Sequence, residues 1–309
     1  MTLLAASVWS RFIEFPFYQN ALLAGLAVGV ACAMLSVFVV YKRMAFIGEG
    51  ISHAAFAGVG LAMLLQLYLP AMRDPFARDA VIAASCVATA MLIGWLTRHG
   101  HVFEDSAIGI CLVGAMALGV VLLDVRTDLF RQMVATGAMQ RADLGYTPSF
   151  HDILFGSILS VSHSDVWLAC IEAGVVAALI LAFFKELVFF ACDEEAAEVF
   201  GVRTGLIYYG LLAGIGVTVV VAMRLLGVIL CSALLILPGA TANFWSYRIG
   251  RVTVAAVLSA AACIAVGLFL SITLRVLSTG PLVVLVMCAA FGVSWLIHAL
   301  REYIARRTG

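Results

Sequence analysis

Glu49 and His53 are the residues of this chain whose chemistry and spacing best suit a metal ion. They lie four residues apart between two long apolar segments, so a helix that begins near Glu49 places both side chains on one face. A carboxylate oxygen beside an imidazole nitrogen suits a borderline divalent cation such as zinc, manganese or ferrous iron. The alternative is structural, with Glu49 at the first turn of a helix and His53 hydrogen-bonded to a neighbouring backbone group.

A further acidic residue, Glu172, lies in the middle of the apolar segment 166–184. An ionisable residue within a membrane-spanning segment normally faces a polar cavity or a partner group. Glu172 therefore either lines a translocation path or, in its protonated form, donates a hydrogen bond to a neighbouring helix. The residues around it leave both interpretations open.

Residues 193–201 have the pattern of a short amphipathic helix that fits into a groove of another protein. Asp193 is a favoured N-cap residue, and Gly201 is typical of the residue that follows a helix. Acidic residues in the first turn complement the positive end of the helix dipole, and the apolar residues form a surface of mostly small side chains. The acidic residues are Glu194 and Glu195, and the apolar ones are Ala196, Ala197, Val199 and Phe200. A well-capped interfacial loop has the same pattern.

The composition indicates what kind of protein positions these groups. Of the 309 residues, 64% are hydrophobic and 12% are charged, whereas a soluble domain has about 45–50% apolar and about 25% charged residues. We therefore predict an all-α, polytopic membrane protein in contact with membrane lipid. The formal net charge of zero argues against a nucleic-acid partner. Lysine occurs only at Lys42 and Lys185, so the chain contains no Gly-Lys-Ser/Thr phosphate loop.

Apolar segments long enough to cross a bilayer predict nine transmembrane helices, or eight if one segment is re-entrant. The predicted spans are residues 20–41, 51–70, 80–97, 106–123, 166–184, 205–222, 225–242, 251–276 and 281–299. Pro238 should kink or end its helix. The polar stretch 124–164 is an extramembrane platform, partly a re-entrant helix, or a plain solvated loop. Because no soluble domain or linker interrupts the chain, we expect one transmembrane domain over residues 1–309.

Three stretches resemble, in order along the chain, signatures of the permease subunits of manganese, zinc and iron ABC importers. Residues 43–58 (RMAFIGEGISHAAFAG) resemble the signature of the second helix. Residues 193–202 (DEEAAEVFGV) resemble the cytoplasmic docking loop, and residues 234–242 (LLILPGATA) resemble a late LLxLPAATA segment. One position departs from the pattern, because the family usually has Asp where this chain has Glu49. The longer side chain moves the carboxylate oxygen.

The resemblance implies the permease of an ATP-driven importer of divalent metal ions, in which Glu49 and His53 bind the ion transiently. It implies that residues 193–201 dock against separate ABC ATPase subunits. The chain would then be no enzyme and would need no cofactor of its own, since ATP is bound by its partners. The resemblance also implies an extracytoplasmic metal-binding protein and a second permease, either an identical copy or a similar chain.

The resemblance further implies a place in the cell (inner) membrane, with the N-terminus outside and the C-terminus cytoplasmic. In that orientation ten of the 18 basic residues fall on the inside, which is the direction of the positive-inside rule.

Two other functions compete with this interpretation. A permease of the related siderophore and cobalamin class would share the docking helix but would not need Glu49 and His53. A stand-alone ion-coupled transporter would use Glu49, His53 and Glu172 as a proton relay and would need no ATPase. A membrane metalloenzyme is disfavoured because the chain has no HExxH motif. Ligand type does not separate zinc, manganese and iron.

Overall fold

The computed structural model describes residues 16–137, 161–274 and 279–308, and within these ranges the regular elements are all helices. The helices are α1 (Pro16–Tyr41), α2 (Ile47–Leu65), α3 (Pro75–His99), α4 (Glu104–Ala135), α5 (His163–Ala182), α6 (Phe184–Cys192), α7 (Glu194–Val199), α8 (Thr204–Leu226), α9 (Val228–Asn243), α10 (Ile249–Leu274) and α11 (Thr279–Thr308). A single 3-10 turn, Pro70–Arg73, precedes α3. The all-α prediction is confirmed.

Eight of these helices are long and apolar enough to cross a membrane, and α9 is a shorter apolar helix. Because a helix rises about 1.5 Å per residue, α9 extends only about 24 Å, less than the hydrocarbon core of about 30 Å. The chain is therefore a multi-pass membrane protein, and the prediction of eight to nine membrane helices is confirmed. Helix α9 continues past Pro238 to Asn243, so the proline does not end it.

Helix α4 is longer than the sequence predicted, since the expected span ended at residue 123 and the helix continues to Ala135. The added part carries charged residues. Among them, the guanidinium of Arg131 lies 3.3 Å from a carboxylate oxygen of Asp128, three residues earlier in the helix. Charges on an exposed helical face do not interrupt the backbone hydrogen bonds, and such pairs stabilise the helix slightly. The first part of the polar stretch 124–164 is therefore helical, whereas residues 138–160 lie outside the described ranges.

The chain packs as two compact units, and the first is built around α1. Among the described residues it contains α1, α5, α6, α7, α9, α10, α11 and both ends of α8. Helix α1 packs against α5, α9 and α10. The approach of α9 is very close, because a Cβ atom added to Gly239 would lie 2.6 Å from the backbone oxygen of Ser36.

The second unit contains α2, α3, α4 and residues 208–220 of α8. Helix α2 packs along both α3 and α4, so its residues are mostly buried although the helix is only 19 residues long. The chain passes from the first unit to the second between Ala45 and Phe46. Helix α2, which carries Glu49 and His53, therefore begins directly after this crossing.

Candidate functional site: a carboxylate and an imidazole on helix α2

The first two turns of α2 bring Glu49 and His53 together. His53 Nδ1 lies 3.5 Å from Glu49 Oε1 and 3.0 Å from the backbone oxygen of Glu49. The spacing of four residues places both side chains on one face of the helix, as predicted. Glu49 also lies in the first turn, where a negative charge is stabilised by the helix dipole.

The backbone contact determines which nitrogen of His53 is available to a ligand. A carbonyl oxygen can only accept a hydrogen bond, so Nδ1 carries the proton and donates a hydrogen bond to the backbone oxygen of Glu49. The neutral imidazole then has its lone pair on Nε2, which is the arrangement found when an imidazole binds a metal ion. The structural role foreseen for His53 and the metal-binding role are thus compatible, because the backbone bond orients the ring.

The two side chains differ in their exposure. The side chain of His53 is 14% exposed and that of Glu49 is 39% exposed. The ring of His53 lies 6.1 Å from that of Phe56 on the same helix. The imidazole is therefore enclosed by its surroundings, while the carboxylate remains accessible.

Glycine residues hold α2 close to its neighbours. A Cβ atom added to Gly60 would lie 2.9 Å from the backbone oxygen of Gly119 on α4, and one added to Gly58 would lie 2.9 Å from Cα of Ile82 on α3. Ser85 Oγ also donates a hydrogen bond of 2.9 Å to the backbone oxygen of Ala54. Small residues allow membrane helices to pack at short range, so α2 is a firm support for the pair.

The pair supplies two ligand groups, and a metal site usually needs more. No group of three or more His, Cys, Asp or Glu side chains in the described part of the chain is arranged to bind a metal ion. A four-ligand site at Glu49 and His53 would therefore require groups from outside the described residues of one chain.

Glu172 has different surroundings from Glu49. It is buried in the middle of α5, with a relative exposure of 8%. Its helix packs against α1. Cys32 on α1 and Cys231 on α9 are fully buried in the same unit. Glu172 therefore lies in the interior of this unit.

The segment predicted to dock a partner forms as expected. Asp193 caps α7 by accepting a hydrogen bond of 2.9 Å from the backbone of Ala196, and Gly201 follows the helix with a φ of 85°. We call residues 193–201 the docking segment. Its side chains divide into two faces, since Ala197 is fully buried within the chain while Val199 and Phe200 are 85% and 78% exposed. The exposed face also includes Glu195.

Ala197 thus lies on the inner face of the docking segment and not on the small-residue surface that the sequence predicted. Only the exposed residues are available to a partner, so substitution of Ala197 would test how the segment packs against its own chain.

One residue of this region was not identified from the sequence. The Nζ atom of Lys42, the residue directly after α1, lies 2.6 Å from Glu194 Oε2 and 4.0 Å from the centre of the Phe190 ring. The only sequence signal was the rarity of lysine, since Lys42 is one of two in the chain.

The chain is similar to known proteins over most of its length. The model of the ABC 3 transport family matches residues 14–298. A manganese transport system membrane protein, MntC of Halalkalibacterium halodurans, is 30% identical over 96% of this chain and 93% of its own length. A probable iron transport system membrane protein of Haemophilus influenzae is 30% identical over 94% of this chain and 96% of its own length.

A solved structure has the same fold over nearly the whole chain. The structure of PsaBC from Streptococcus pneumoniae in complex with Fab contains a chain that is 27% identical to this one, with a TM-score of 0.76. The match covers 98% of this chain and 99% of the other. The likeness therefore includes both units and all the helices described above.

Proposed function

We propose, because the chain belongs to the ABC 3 transport family, that it is the membrane permease of an ATP-driven importer of divalent metal ions. The observation that carries the proposal is the pair Glu49 and His53, a carboxylate and an oriented imidazole on one turn of a closely packed helix. The names of two full-length relatives, which refer to manganese and iron, support the class of cargo.

The pair binds the ion during passage. The Nε2 lone pair of His53, together with the carboxylate of Glu49 once its side chain turns away from Nδ1, replaces part of the hydration shell of a divalent cation. A second permease related by a two-fold axis contributes the same two groups, so two incomplete sites form one site of four ligands. The site must also release its ion, which requires a modest affinity.

The docking segment binds the ATPase. Its exposed apolar residues Val199 and Phe200 are the groups that a groove on a partner would cover. ATP binding and hydrolysis take place in that partner, and the permease responds by changing access to the ion path. A partner shifts such an equilibrium only through contacts that differ between the two states of the permease.

The remaining partners follow from the same assignment. An extracytoplasmic metal-binding protein delivers the ion to the outer side, and the second permease is an identical copy or a similar chain. The N-terminus lies outside, and the docking segment and the C-terminus lie in the cytoplasm of a cell whose inner membrane the protein spans.

The test is metal import by the reconstituted transporter. The chain is co-expressed with candidate ABC ATPase and metal-binding protein subunits, and the complex is placed in liposomes that contain a metal-sensitive dye. We expect import of manganese or ferrous ions that requires ATP on the ATPase side. Zinc is measured in parallel, because the two ligand groups also suit that ion.

The same assay separates the competing functions. Import driven by a proton gradient without ATP would instead support an ion-coupled transporter. Import of a ferric siderophore or of cobalamin, with no import of free metal ions, would support the related chelate class.

A further inference from the structure

Lys42 connects the C-terminal end of α1 to the docking segment. Its Nζ lies 2.6 Å from Glu194 Oε2 and 4.0 Å from the centre of the fully buried Phe190 ring. The ammonium group is attracted both by the carboxylate and by the face of the aromatic ring. The side chain of Lys42 is only 15% exposed, so solvent screens this contact less than it screens an ordinary surface ion pair.

The same end of α1 is held by two further contacts within the first unit. The hydroxyl of Tyr41 donates a hydrogen bond of 3.1 Å to the side-chain oxygen of Asn243 at the end of α9. The ring of Phe38 meets that of Phe184 on α6 edge to face, with the ring centres 6.4 Å apart. The end of α1 and the elements before the docking segment therefore form one connected group of side chains.

A short, defined turn leads from Lys42 to the ion-binding pair. Arg43 adopts the left-handed conformation with a φ of 59°, and the backbone of Met44 donates a hydrogen bond of 2.9 Å to Val39. The side chain of Met44 is fully buried. Helix α2 begins at Ile47, so the path along the backbone from Lys42 to the turn that carries Glu49 is short.

We infer that Lys42 is a positioning residue that transmits movement of the docking segment to the start of α2. The ion pair with Glu194 makes the docking segment and the end of α1 move together, and the covalent turn carries that movement to Glu49 and His53. This role rests on the proposed function, because it requires an ATPase at the docking segment and an ion at the pair. In this role Lys42 couples ATP hydrolysis to transport, and it binds neither the ATPase nor the ion.

The test replaces Lys42 by glutamine, which keeps most of the length of the side chain and removes its charge. The matched control is Lys185→Gln, which makes the same change at the exposed second lysine, on α6 of the same unit. Three quantities are measured on the reconstituted complex: the ATPase that co-purifies, the rate of ATP hydrolysis and the number of ions imported per ATP hydrolysed.

We expect Lys42→Gln to keep the ATPase and its hydrolysis, because the exposed face of the docking segment is unchanged. The number of ions per ATP should fall at least about fivefold, which corresponds to about 1 kcal/mol of lost coupling, whereas Lys185→Gln should match the wild type. The charge exchange Lys42→Glu with Glu194→Lys should recover much of the coupling that either single change loses. A carbodiimide should also join Lys42 to Glu194 through an amide bond in the wild-type complex, as found by mass spectrometry.

Two results would overturn the inference. The first is an unchanged number of ions per ATP in Lys42→Gln. The second is loss of the ATPase from that variant, because Lys42 would then only build the docking surface. Absence of ATP-driven import by the wild type would contradict the proposed function itself, so the two failures are distinguishable.

Discussion

Glu49 and Glu172 are both carboxylates in membrane-spanning helices, yet their surroundings differ in every respect that matters for ion binding. Glu49 is 39% exposed and shares a helical face with an oriented imidazole. Glu172 is buried in the middle of α5, which packs against α1. The comparison shows that an acidic residue in an apolar segment has a role that depends on what the fold places beside it.

The two sites also lie in different units. Glu49 belongs to the unit of α2, α3 and α4, in which glycines allow close packing, and Glu172 belongs to the unit built around α1. An ion that passes through the membrane must exchange its ligands, so a path residue needs some exposure. We therefore expect substitutions around Glu49 to affect transport and substitutions at Glu172 to affect mainly helix packing.

The largest effect is expected from His53→Ala. This change removes the oriented nitrogen, and import should fall below about a tenth of the wild-type rate, since loss of groups that position or bind a metal commonly costs about 10–100-fold. The measurement is import per assembled transporter, together with the amount of co-purified ATPase.

The control for this variant is His298→Ala. His298 Nε2 lies 3.4 Å from Glu302 at the same spacing of four residues, near the end of α11, and its loss should leave import unchanged. If His53→Ala lowers only the amount of folded protein and not the import per molecule, His53 has a structural role. The proposed difference between Glu49 and Glu172 in ion binding would then lose its support.

The next effect separates charge from length at Glu49. Glu49→Gln removes the anionic ligand and should lower import at least about tenfold, which corresponds to about 1.4 kcal/mol. Glu49→Asp keeps the carboxylate and introduces the residue that the family usually has, so it should remain active. Both variants are measured over a range of metal concentrations, because a lost ligand raises the concentration needed for half-maximal import. Wild-type import by Glu49→Gln would show that the charge of Glu49 is not used.

A smaller effect is expected from the packing that supports the pair. A Cβ atom at Gly119 would lie 2.7 Å from the backbone carbon of Phe56, so Gly119→Ala should force α2 and α4 apart. Overpacking of this kind costs about 1–3 kcal/mol, which should appear as a lower melting temperature of the complex. Gly114→Ala on the same helix is the control, because nothing lies within 4 Å of a Cβ atom there. Equal melting temperatures would mean that the close contact does not constrain α2.

The sequence was sufficient to predict the features that depend on neighbouring residues along the chain. The long apolar segments predicted the membrane helices, and Asp193 and Gly201 predicted the ends of the docking segment. The spacing of Glu49 and His53 predicted that the two side chains would meet. Each of these features follows from local geometry, which the order of residues determines directly.

The features that the sequence did not predict depend on residues distant in the chain. Lys42 and Glu194 are 152 positions apart, so no local pattern joins them. Ala197 lies on a helix of six residues, which is too short for a periodic pattern to show which side packs against the chain. The burial of Glu172 likewise depends on which helices pack against α5, and this left its role open.

The smallest effect is expected from Glu172→Gln, which tests the other side of the comparison. Glutamine has nearly the shape of a protonated glutamate and can both donate and accept hydrogen bonds. If Glu172 serves as a neutral packing residue, the substitution should change import by less than about twofold, or about 0.4 kcal/mol, even though the side chain lies in the middle of a membrane helix. Glu172→Leu should be more harmful to assembly, because it replaces a polar group by an apolar one of a different shape where α5 meets α1. A loss of import in Glu172→Gln as large as that in Glu49→Gln, with normal assembly, would mean that both carboxylates contact the ion. Exposure in one permease chain would then be a poor guide to the path, because the buried carboxylate would have to become accessible during the transport cycle.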